Sequence, residues 1–179
     1  KALRYKIYLG ARWAPGVMKE SNLNTKTGKI DLNYRVNKIL ISNSLSVDYS
    51  DGARTSPYGS FQDYARINSY YRKTDENGNI KQVLDDHKVG DKYIATYDTP
   101  TLNPLWNAQF DSKNDSRNFE LREALKVEYL PVDNLRLSLD FTLSRGDGTV
   151  ETFKSAQHND FYSVTDPAEK GSYYWSKSE

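Results

Sequence analysis

Carboxylates are the side chains of this sequence whose spacing could support acid–base chemistry or hold a cation. Asp85 and Asp86 are adjacent, and a glycosidase needs two carboxylates. Adjacent acids in a polar stretch are ordinarily solvated, so we assign this pair to a loop. The segment Asp75-Glu76-Asn77-Gly78-Asn79 has oxygen ligands at alternate positions, as calcium loops do. Its glycine is displaced and no glutamate stands at the twelfth position, which favours a turn.

Other catalytic and metal-binding patterns are weak. His87 and His158 are the only histidines and the chain has no cysteine, so nothing in the residue types supports a metal site. There is no Ser-His-Asp arrangement, phosphate-binding loop or dinucleotide fingerprint. The sequence therefore predicts a protein that is not an enzyme, with no catalytic residues, no metal and no cofactor.

Aromatic residues are concentrated between residues 58 and 110. They could stack on sugar rings or meet a partner protein, or they could form a small core within a compact loop. For any single residue, packing within the loop is the more common role. The nine residues are Tyr58, Phe61, Tyr64, Tyr70, Tyr71, Tyr93, Tyr97, Trp106 and Phe110.

Strands must position these side chains, and the clearest pair lies within residues 119–145. Apolar and polar residues alternate over 135–145, and 119–129 keep the same period except at Glu123. A period of two indicates a β-strand with two different faces. Pro131-Val132-Asp133-Asn134 has turn chemistry, so the arms form an antiparallel hairpin. Each arm has about eleven residues, close to the roughly 9–11 that a tilted strand needs to cross a bilayer.

The alternation predicts five strands, joined by connections of very unequal length. A tight turn at Asn37-Lys38 follows the second strand, whereas a very long connection follows the third. Tight turns at one end and long loops at the other are typical of outer-membrane barrels. We therefore predict an all-β fold with the antiparallel strands of a transmembrane β-barrel. Five strands cannot close such a barrel, which needs at least eight, so they would form a section of it. The strands cover about 2–13, 29–36, 39–50, 119–130 and 135–145, and the long outer loop covers about 51–117.

Several segments are predicted to be irregular. The first connection is polar as far as Thr27-Gly28, and Gly146-Asp147-Gly148 is predicted to break the fifth strand before a short resumption at 150–153. Short helical or strand pieces are expected at 61–67 and 93–97. The tail after residue 153 is polar and aromatic, and no strand is predicted there.

Composition leaves two architectures open. The net charge of +1 implies no strong attraction to nucleic acid. The mean hydropathy of −0.82 is typical of soluble proteins, but the polar lumen residues of a barrel also lower this average. The alternative to the barrel is therefore a soluble β-sandwich that binds glycans through its loop aromatics.

Charged residues recur on the side of the strands opposite the apolar residues. In a barrel they would face the lumen, where they could pair across neighbouring strands or hold a plug domain. Pairing is the simpler role. The set comprises Arg4, Lys6, Arg12, Asp31, Arg35, Asp48, Arg122, Lys126, Glu128, Arg136 and Asp140.

Seven short motifs follow one another along almost the whole chain. Through their order and spacing the sequence resembles the SusC/RagA-like family of TonB-dependent outer-membrane transporters. No single motif carries the resemblance; the order and spacing do. Ser69 departs from the proline that is usual in the family. The motifs are Pro15-Gly16-Val17-Met18-Lys19, Ser56-Pro57-Tyr58-Gly59-Ser60-Phe61, Tyr64-Ala65-Arg66-Ile67-Asn68-Ser69-Tyr70-Tyr71-Arg72, Asp75-Glu76-Asn77-Gly78, Asn103-Pro104-Leu105-Trp106-Asn107-Ala108, Phe153-Lys154-Ser155 and His158-Asn159-Asp160-Phe161.

The resemblance implies that these strands are a section of a large antiparallel transmembrane β-barrel, which serves as a nutrient importer in the outer membrane of a Gram-negative cell. A SusD-like surface lipoprotein would cover its mouth, and TonB would energise it through regions without a counterpart here, including the plug domain. The cargo would be oligosaccharides or peptides. On this basis, and because Tyr and Trp are common interface anchors, Tyr70, Tyr71 and Trp106 are the candidate residues for substrate or partner binding.

Overall fold

The structure is a computed structural model, and it describes residues 1–53, 55–89, 92–93 and 99–179. It is an antiparallel all-β fold, as predicted. Six strands form the main sheet, and two short two-stranded sheets lie within the long connection. The main strands are β1 (Ala2–Pro15), β2 (Asn22–Val36), β3 (Ile39–Gly52), β8 (Ser112–Val132), β9 (Leu135–Lys154) and β10 (Ser172–Ser178).

The remaining elements are short and lie between and beyond the long strands. Strand β4 pairs with β7, and β5 pairs with β6. The elements are β4 (Val83–Asp85), β5 (Lys88–Val89), β6 (Lys92–Tyr93), β7 (Thr101–Leu102), α1 (Phe61–Arg66), α2 (Pro104–Asn107) and two 3-10 helices, Asn159–Phe161 and Pro167–Glu169. The predicted short piece at 61–67 is thus a helix, which Ser60 caps with its side chain. Of the piece predicted at 93–97, residues 94–97 lie outside the described residues.

The main sheet has the order β1-β2-β3-β8-β9-β10, and each strand is antiparallel to its neighbour. Within the described residues the sheet does not close, because β1 and β10 lie at its two edges. Tight turns at Asn37-Lys38 and Asp133-Asn134 join strands at one end, as predicted. The connections 16–21, 53–111 and 155–171 all lie at the other end; we call them the outer loops.

The register brings the apolar residues of neighbouring strands onto one side, which we call the apolar face. One row across five strands is Leu3, Tyr34, Ile41, Val127 and Leu139. Within the described residues, no other layer covers the apolar face: Leu9 is 86% exposed and Leu139 is 69% exposed. Within this band lies the predicted misfit, Glu123. Its carboxylate accepts a hydrogen bond of 3.2 Å from the Asn43 amide, so the two polar groups partly satisfy each other.

The opposite side, the polar face, carries the predicted charged set together with many small hydroxyl residues. Lys6 pairs in register with Asp31, and Ser44 donates a 2.7 Å hydrogen bond to the Asp31 carboxylate. Lys126 lies 3.1 Å from Glu128 and 4.0 Å from Asp140 on the next strand. Charge pairing along and across strands is therefore the observed role of several of these residues.

The four largest errors in the predicted strands all lie toward the outer loops: the starts of β2 and β8, the end of β9 and the whole of β10. Strand β2 begins at Asn22, and β8 begins at Ser112, within the region predicted to be loop. Strand β10 was predicted as an irregular tail. In these parts polar residues occupy both faces of the sheet, as Thr25 and Lys26 do in β2. An amphipathic period therefore does not arise, although the backbone hydrogen bonds of the sheet continue.

Glycine does not interrupt the fifth predicted strand, which is β9 and continues to Lys154. The break expected at Gly146-Asp147-Gly148 is wrong because β9 is paired there on both sides: Gly148 lies opposite Asn118 of β8 and Ser178 of β10. A Cβ atom at Gly148 would lie 2.7 Å from the Ser178 hydroxyl and 3.1 Å from the Asn118 amide oxygen. Glycine here permits close packing of three strands.

Candidate functional site

The outer loops fold into a packed unit organised around one asparagine. Asn103 is 1% exposed. Its amide nitrogen donates to the Lys81 carbonyl at 2.8 Å and to the Lys73 carbonyl at 3.1 Å, while its amide oxygen accepts from the Leu105 N–H at 3.1 Å. The last contact also caps α2, whose first residue is proline. One side chain thus joins three separate backbone segments of the long loop.

A second group of amides joins the long loop to the last outer loop. The backbone N–H of Asn159 donates to the Asn107 side chain at 2.8 Å, and the Asn159 amide donates to the Asn103 carbonyl at 2.9 Å. The buried Asn107 also donates to the Tyr58 carbonyl at 3.4 Å. Gln82 completes the group with a 3.3 Å bond to Asn159. Apart from Gln82, these residues lie in the motifs that carry the family resemblance. The sequence did not predict that their amides join the two loops.

The first outer loop is attached through Lys19 and Tyr58. The Lys19 ammonium donates to the Ala108 carbonyl at 3.1 Å and lies 4.5 Å from the centre of the Tyr58 ring. The Ser56 hydroxyl donates to the Lys19 carbonyl at 2.7 Å. Tyr58 is buried, and burial raises the pKa of its hydroxyl. Three outer loops therefore pack as one body at one end of the sheet.

The three candidate binding residues have different environments. Tyr70 is 93% exposed. Tyr71 is half-buried, and its side chain hydrogen-bonds the Asp85 carboxylate. Trp106 lies on α2, where its ring N–H donates to the Gln157 carbonyl at 3.0 Å and its ring packs edge-on against Phe110 at 5.2 Å. Tyr70 thus has the most free aromatic surface, whereas the other two also hold the loops together.

Other loop aromatics divide in the same way. Tyr58 is buried, and the Tyr64 hydroxyl donates to the Pro104 carbonyl at 3.0 Å, so both pack the loop. Burial raises the pKa of the Tyr64 hydroxyl. Phe61 is 63% exposed at the start of α1. Tyr97 and the Tyr93 side chain lie outside the described residues.

The Asp75 segment forms a turn, as predicted, whereas Asp85, which the sequence analysis assigned to a loop, is the last residue of β4. The Asp75 carboxylate accepts from the backbone N–H groups of Asn77 at 2.9 Å and Asn79 at 2.8 Å, and from the Asn79 amide. These donors hold the pKa of Asp75 below its usual value. Asp85 likewise accepts from the backbone of His87 at 2.9 Å, which lowers its pKa, and Asp86 accepts from the Lys88 N–H. Donors from the same turns therefore engage all three carboxylates.

His158 is a buried base in the last outer loop. Its Nδ1 accepts from the Asp160 backbone N–H at 3.1 Å. Burial lowers the pKa of His158; the nearby Asp160 carboxylate and the Pro57 carbonyl oppose this shift, and Lys154 adds to it. Burial thus opposes protonation of the ring in the folded loop.

We expect the last outer loop to become less stable as pH falls below about 6.5. The unfolded loop takes up a proton near the ordinary histidine pKa, whereas folded His158 resists it, so the unfolded form binds more protons and gains relative stability. Hydrogen exchange of residues 155–161, corrected for intrinsic rates, should show protection falling between pH 7.5 and pH 5.5.

His158→Gln is the matched control, since glutamine does not titrate. Its protection should change much less over the same range. Asp75, whose pKa is lowered, should remain ionised there and contribute little to the slope. Protection in the native protein that stays constant or rises on acidification would contradict the role of burial at His158.

Within the described residues, no three side chains of the His, Cys, Asp and Glu types gather to hold a metal ion. The same part of the chain contains no helix that is long and apolar enough to span a membrane. The sequence matches no protein-family model, and no curated protein or solved structure matches it significantly. The faces of the sheet and the packing of the outer loops are therefore the features that bear on function.

Proposed function

We propose that this chain forms part of the wall and mouth of a SusC-like, TonB-dependent nutrient importer in the outer membrane. The observation that carries the proposal is the height of the exposed apolar face. On β1 its alternating side chains run from Leu3 to Trp13, about 34 Å along a strand. A tilt of about 40° reduces this to roughly 26 Å, close to the apolar band of about 25 Å on outer-membrane barrels.

Aromatic residues lie near both limits of this band. Toward the outer loops, Tyr49 pairs directly with Phe119, and the next row contains Trp13. Toward the tight turns, Tyr34 and Tyr129 lie in adjacent rows. Such girdles suit the boundary between lipid and water. Beyond the Tyr49 row the same face becomes polar, with Asp51 opposite Arg117, which fits strands that continue above the membrane.

The polar face supports an aqueous lumen. Its central groove is lined by lysine, aspartate and hydroxyl side chains, among them Lys6, Asp31, Ser44 and Lys126. A soluble sandwich would instead need a second sheet over the apolar face. The secondary sheets that the structure describes are the two-stranded pairs of the long loop, and Leu139 on β9 remains largely exposed.

The outer loops also support the resemblance to SusC-like transporters. Motifs that are far apart in the sequence meet there: Asn103 and Asn107 bind Asn159, and Lys19 binds Ala108. In the proposed importer this body lies at the mouth, below a SusD-like lipoprotein, and oligosaccharides or peptides pass it. TonB acts through other regions, and the barrel wall itself carries out no catalysis.

Topology tests the proposal directly. An epitope inserted between Asn77 and Gly78, an exposed turn, should bind antibody on intact cells, because the outer loops face the outside. An epitope between Asp133 and Asn134 should bind only after permeabilisation, because the tight turns face the periplasm. The reverse pattern would mean that the outer loops face the periplasm and the tight turns face the outside. A soluble, unanchored protein would instead favour the β-sandwich.

Trp106→Ala tests the loop aromatics. In the full-length protein, it should weaken association with the lipoprotein or substrate uptake by about tenfold, since buried Trp anchors often contribute around 1.4 kcal/mol or more. Uptake in cells and co-purification with the lipoprotein are the measurements, with heat-modifiable folding as a check on assembly. Equivalent changes at Tyr70 and Tyr71 complete the set.

Trp175→Ala is the matched control, since Trp175 is an exposed tryptophan on edge strand β10, on the side of the sheet that carries the apolar face. It should leave uptake unchanged. Full uptake and an intact complex after replacing Tyr70, Tyr71 and Trp106 together would mean that these rings only pack the loop. The transporter proposal would then stand without these sites.

A further inference from the structure

Positive charge is concentrated on the polar face of β1 and β2. The strand register places a row of lysine and arginine side chains on this face of the two strands. Asp31 is the one acid that the structure describes on the same face of these strands. We call the cations the cationic stripe: Arg4, Lys6, Arg12, Lys29 and Arg35.

The cations of β8 on the same face are balanced by acids. Arg122 lies 3.1 Å from Glu120, and Lys126 lies 3.1 Å from Glu128. The excess of positive charge is therefore a property of β1 and β2, not of the whole polar face.

The arginines of the stripe have no acid of their own. Asp31 already binds Lys29 at 3.2 Å, and it lies directly opposite Lys6. The other members of the stripe form no ion pair and no side-chain hydrogen bond within the described residues: Arg4, Arg12 and Arg35.

Two of these arginines are neighbours at the end of the stripe nearest the tight turns. Arg35 pairs with Ala2, two residues before Arg4 on the same face. Such diagonal neighbours lie roughly 7 Å apart, and two guanidinium groups at this separation repel each other. An anion held between them would be attracted to both and would offset the repulsion.

A cavity of about 760 Å³ lies over this end of the stripe, and we call it the stripe cavity. Its volume falls within the roughly 300–1,000 Å³ of small-ligand sites. Arg4, Lys6, Arg35 and Asn33 line it, and none of its described lining residues is an acid. A guanidinium group presents paired N–H donors that match the two oxygens of a carboxylate or a phosphate. The lining therefore favours an oxyanion over a neutral or cationic ligand.

We propose that the stripe cavity binds a small polyvalent oxyanion, a molecule with two or more carboxylate or phosphate groups. Arg4 and Arg35 hold one of these groups between them, and the Lys6 ammonium attracts a second. The proposal rests on the proposed function for its position, at the periplasmic end of the lumen. It goes beyond that function by assigning the lumen a site for anionic solutes, at the end away from the outer loops.

Calorimetry on the full-length protein in detergent tests the proposal. The probes are citrate and pyrophosphate, with acetate as a monovalent anion and spermidine as a cation. Citrate, pyrophosphate or both should bind more tightly than acetate and spermidine. The affinity should fall as NaCl rises from about 50 mM to about 300 mM, because salt screens exposed charges. Binding of citrate alone would identify carboxylates as the ligand groups, and binding of pyrophosphate alone would identify phosphates.

Substitutions in the stripe should weaken this binding. Arg4→Gln and Arg35→Gln should each cost about tenfold, the loss expected when a hydrogen bond between charged groups is removed. Arg4→Lys keeps the charge but loses the paired donors, so it should weaken binding less than Arg4→Gln. Heat-modifiable folding checks that each variant assembles.

Arg122→Gln is the matched control, since Arg122 is an arginine on the same face that is paired with Glu120. It should leave anion binding unchanged. Binding of neither polyvalent anion would overturn the proposal, because the arginines would then be neutralised by the full-length protein itself. Equal losses in Arg4→Gln and Arg122→Gln, or equally tight binding of spermidine, would overturn it as well.

The outcome is distinguishable from that of the transport proposal. Anion binding that needs Arg4, in a protein whose outer loops are not exposed at the cell surface, would keep the site and reject the transporter. Surface exposure of the outer loops without anion binding would keep the transporter and reject the site.

Discussion

Leu139→Arg is expected to destabilise the protein in a bilayer by about 1–2 kcal/mol, because Leu139 shares a row with Tyr34 near the limit of the apolar band, where the penalty for a lipid-facing arginine, roughly 2–4 kcal/mol at the midplane, is smaller. Leu139 is 69% exposed on the apolar face and lies in a row with Val127 and Ile41. No second layer of the described residues covers this position, so in the proposed barrel the arginine charge would face lipid.

Ser138→Arg places the same side chain one residue earlier, on the polar face. It should cost less than about 0.5 kcal/mol, because the proposed lumen would offer water and Glu128 lies directly opposite Ser138. Reversible unfolding from lipid vesicles in denaturant gives both values. Equal penalties, or a larger one for Ser138→Arg, would show that the two faces have been assigned wrongly.

Asn103→Asp is expected to destabilise the packed outer loops by about 2–4 kcal/mol. The substitution keeps the side-chain size but replaces a donor amide with a second acceptor. The Lys73 and Lys81 carbonyls then lose their shared donor and face a carboxylate at close range. A buried polar group left without its partner costs roughly 1–3 kcal/mol, and more when a charge is involved.

Hydrogen exchange and limited proteolysis of the outer loops measure this loss. Asn77→Asp is the control, since Asn77 is exposed in a turn and its backbone N–H, not its side chain, binds Asp75. It should change loop protection by less than about 0.5 kcal/mol. The hairpin of β8 and β9 should remain protected in both variants. Unchanged loop protection in Asn103→Asp would show that the loops do not depend on this junction.

The alternation of apolar and polar residues was sufficient to predict the part of the sheet that has one apolar and one polar face. Alternation from Leu135 to Leu143, with turn residues at Asp133-Asn134, specified a strand, its apolar side and its partner before any contact was known. The reason is that strand period and hairpin register are local: a slip of one residue would turn every Leu of β9 toward the wrong side.

Toward the outer loops the alternation is lost, and there pairing with neighbouring strands in the tertiary structure determines which residues form strands. Ser112 to Asn118 and β10 have polar or mixed residues on both faces, so their strands exist because neighbouring strands supply backbone partners. From its neighbours in the sequence, Gly148 predicts the end of a strand. In the structure it instead allows three strands to approach one another closely.

The outer loops show the same division between local and distant information. The sequence by itself determined the turn at Asp75, because all its hydrogen bonds span four residues or fewer. It indicated aromatic residues that pack a loop, but not the amide junction at their centre. Asn103 meets Lys73, Lys81 and Asn159 from positions 22 to 56 residues away in the chain. An asparagine that serves a turn and one that joins three segments have the same local pattern, so only the folded chain distinguishes them.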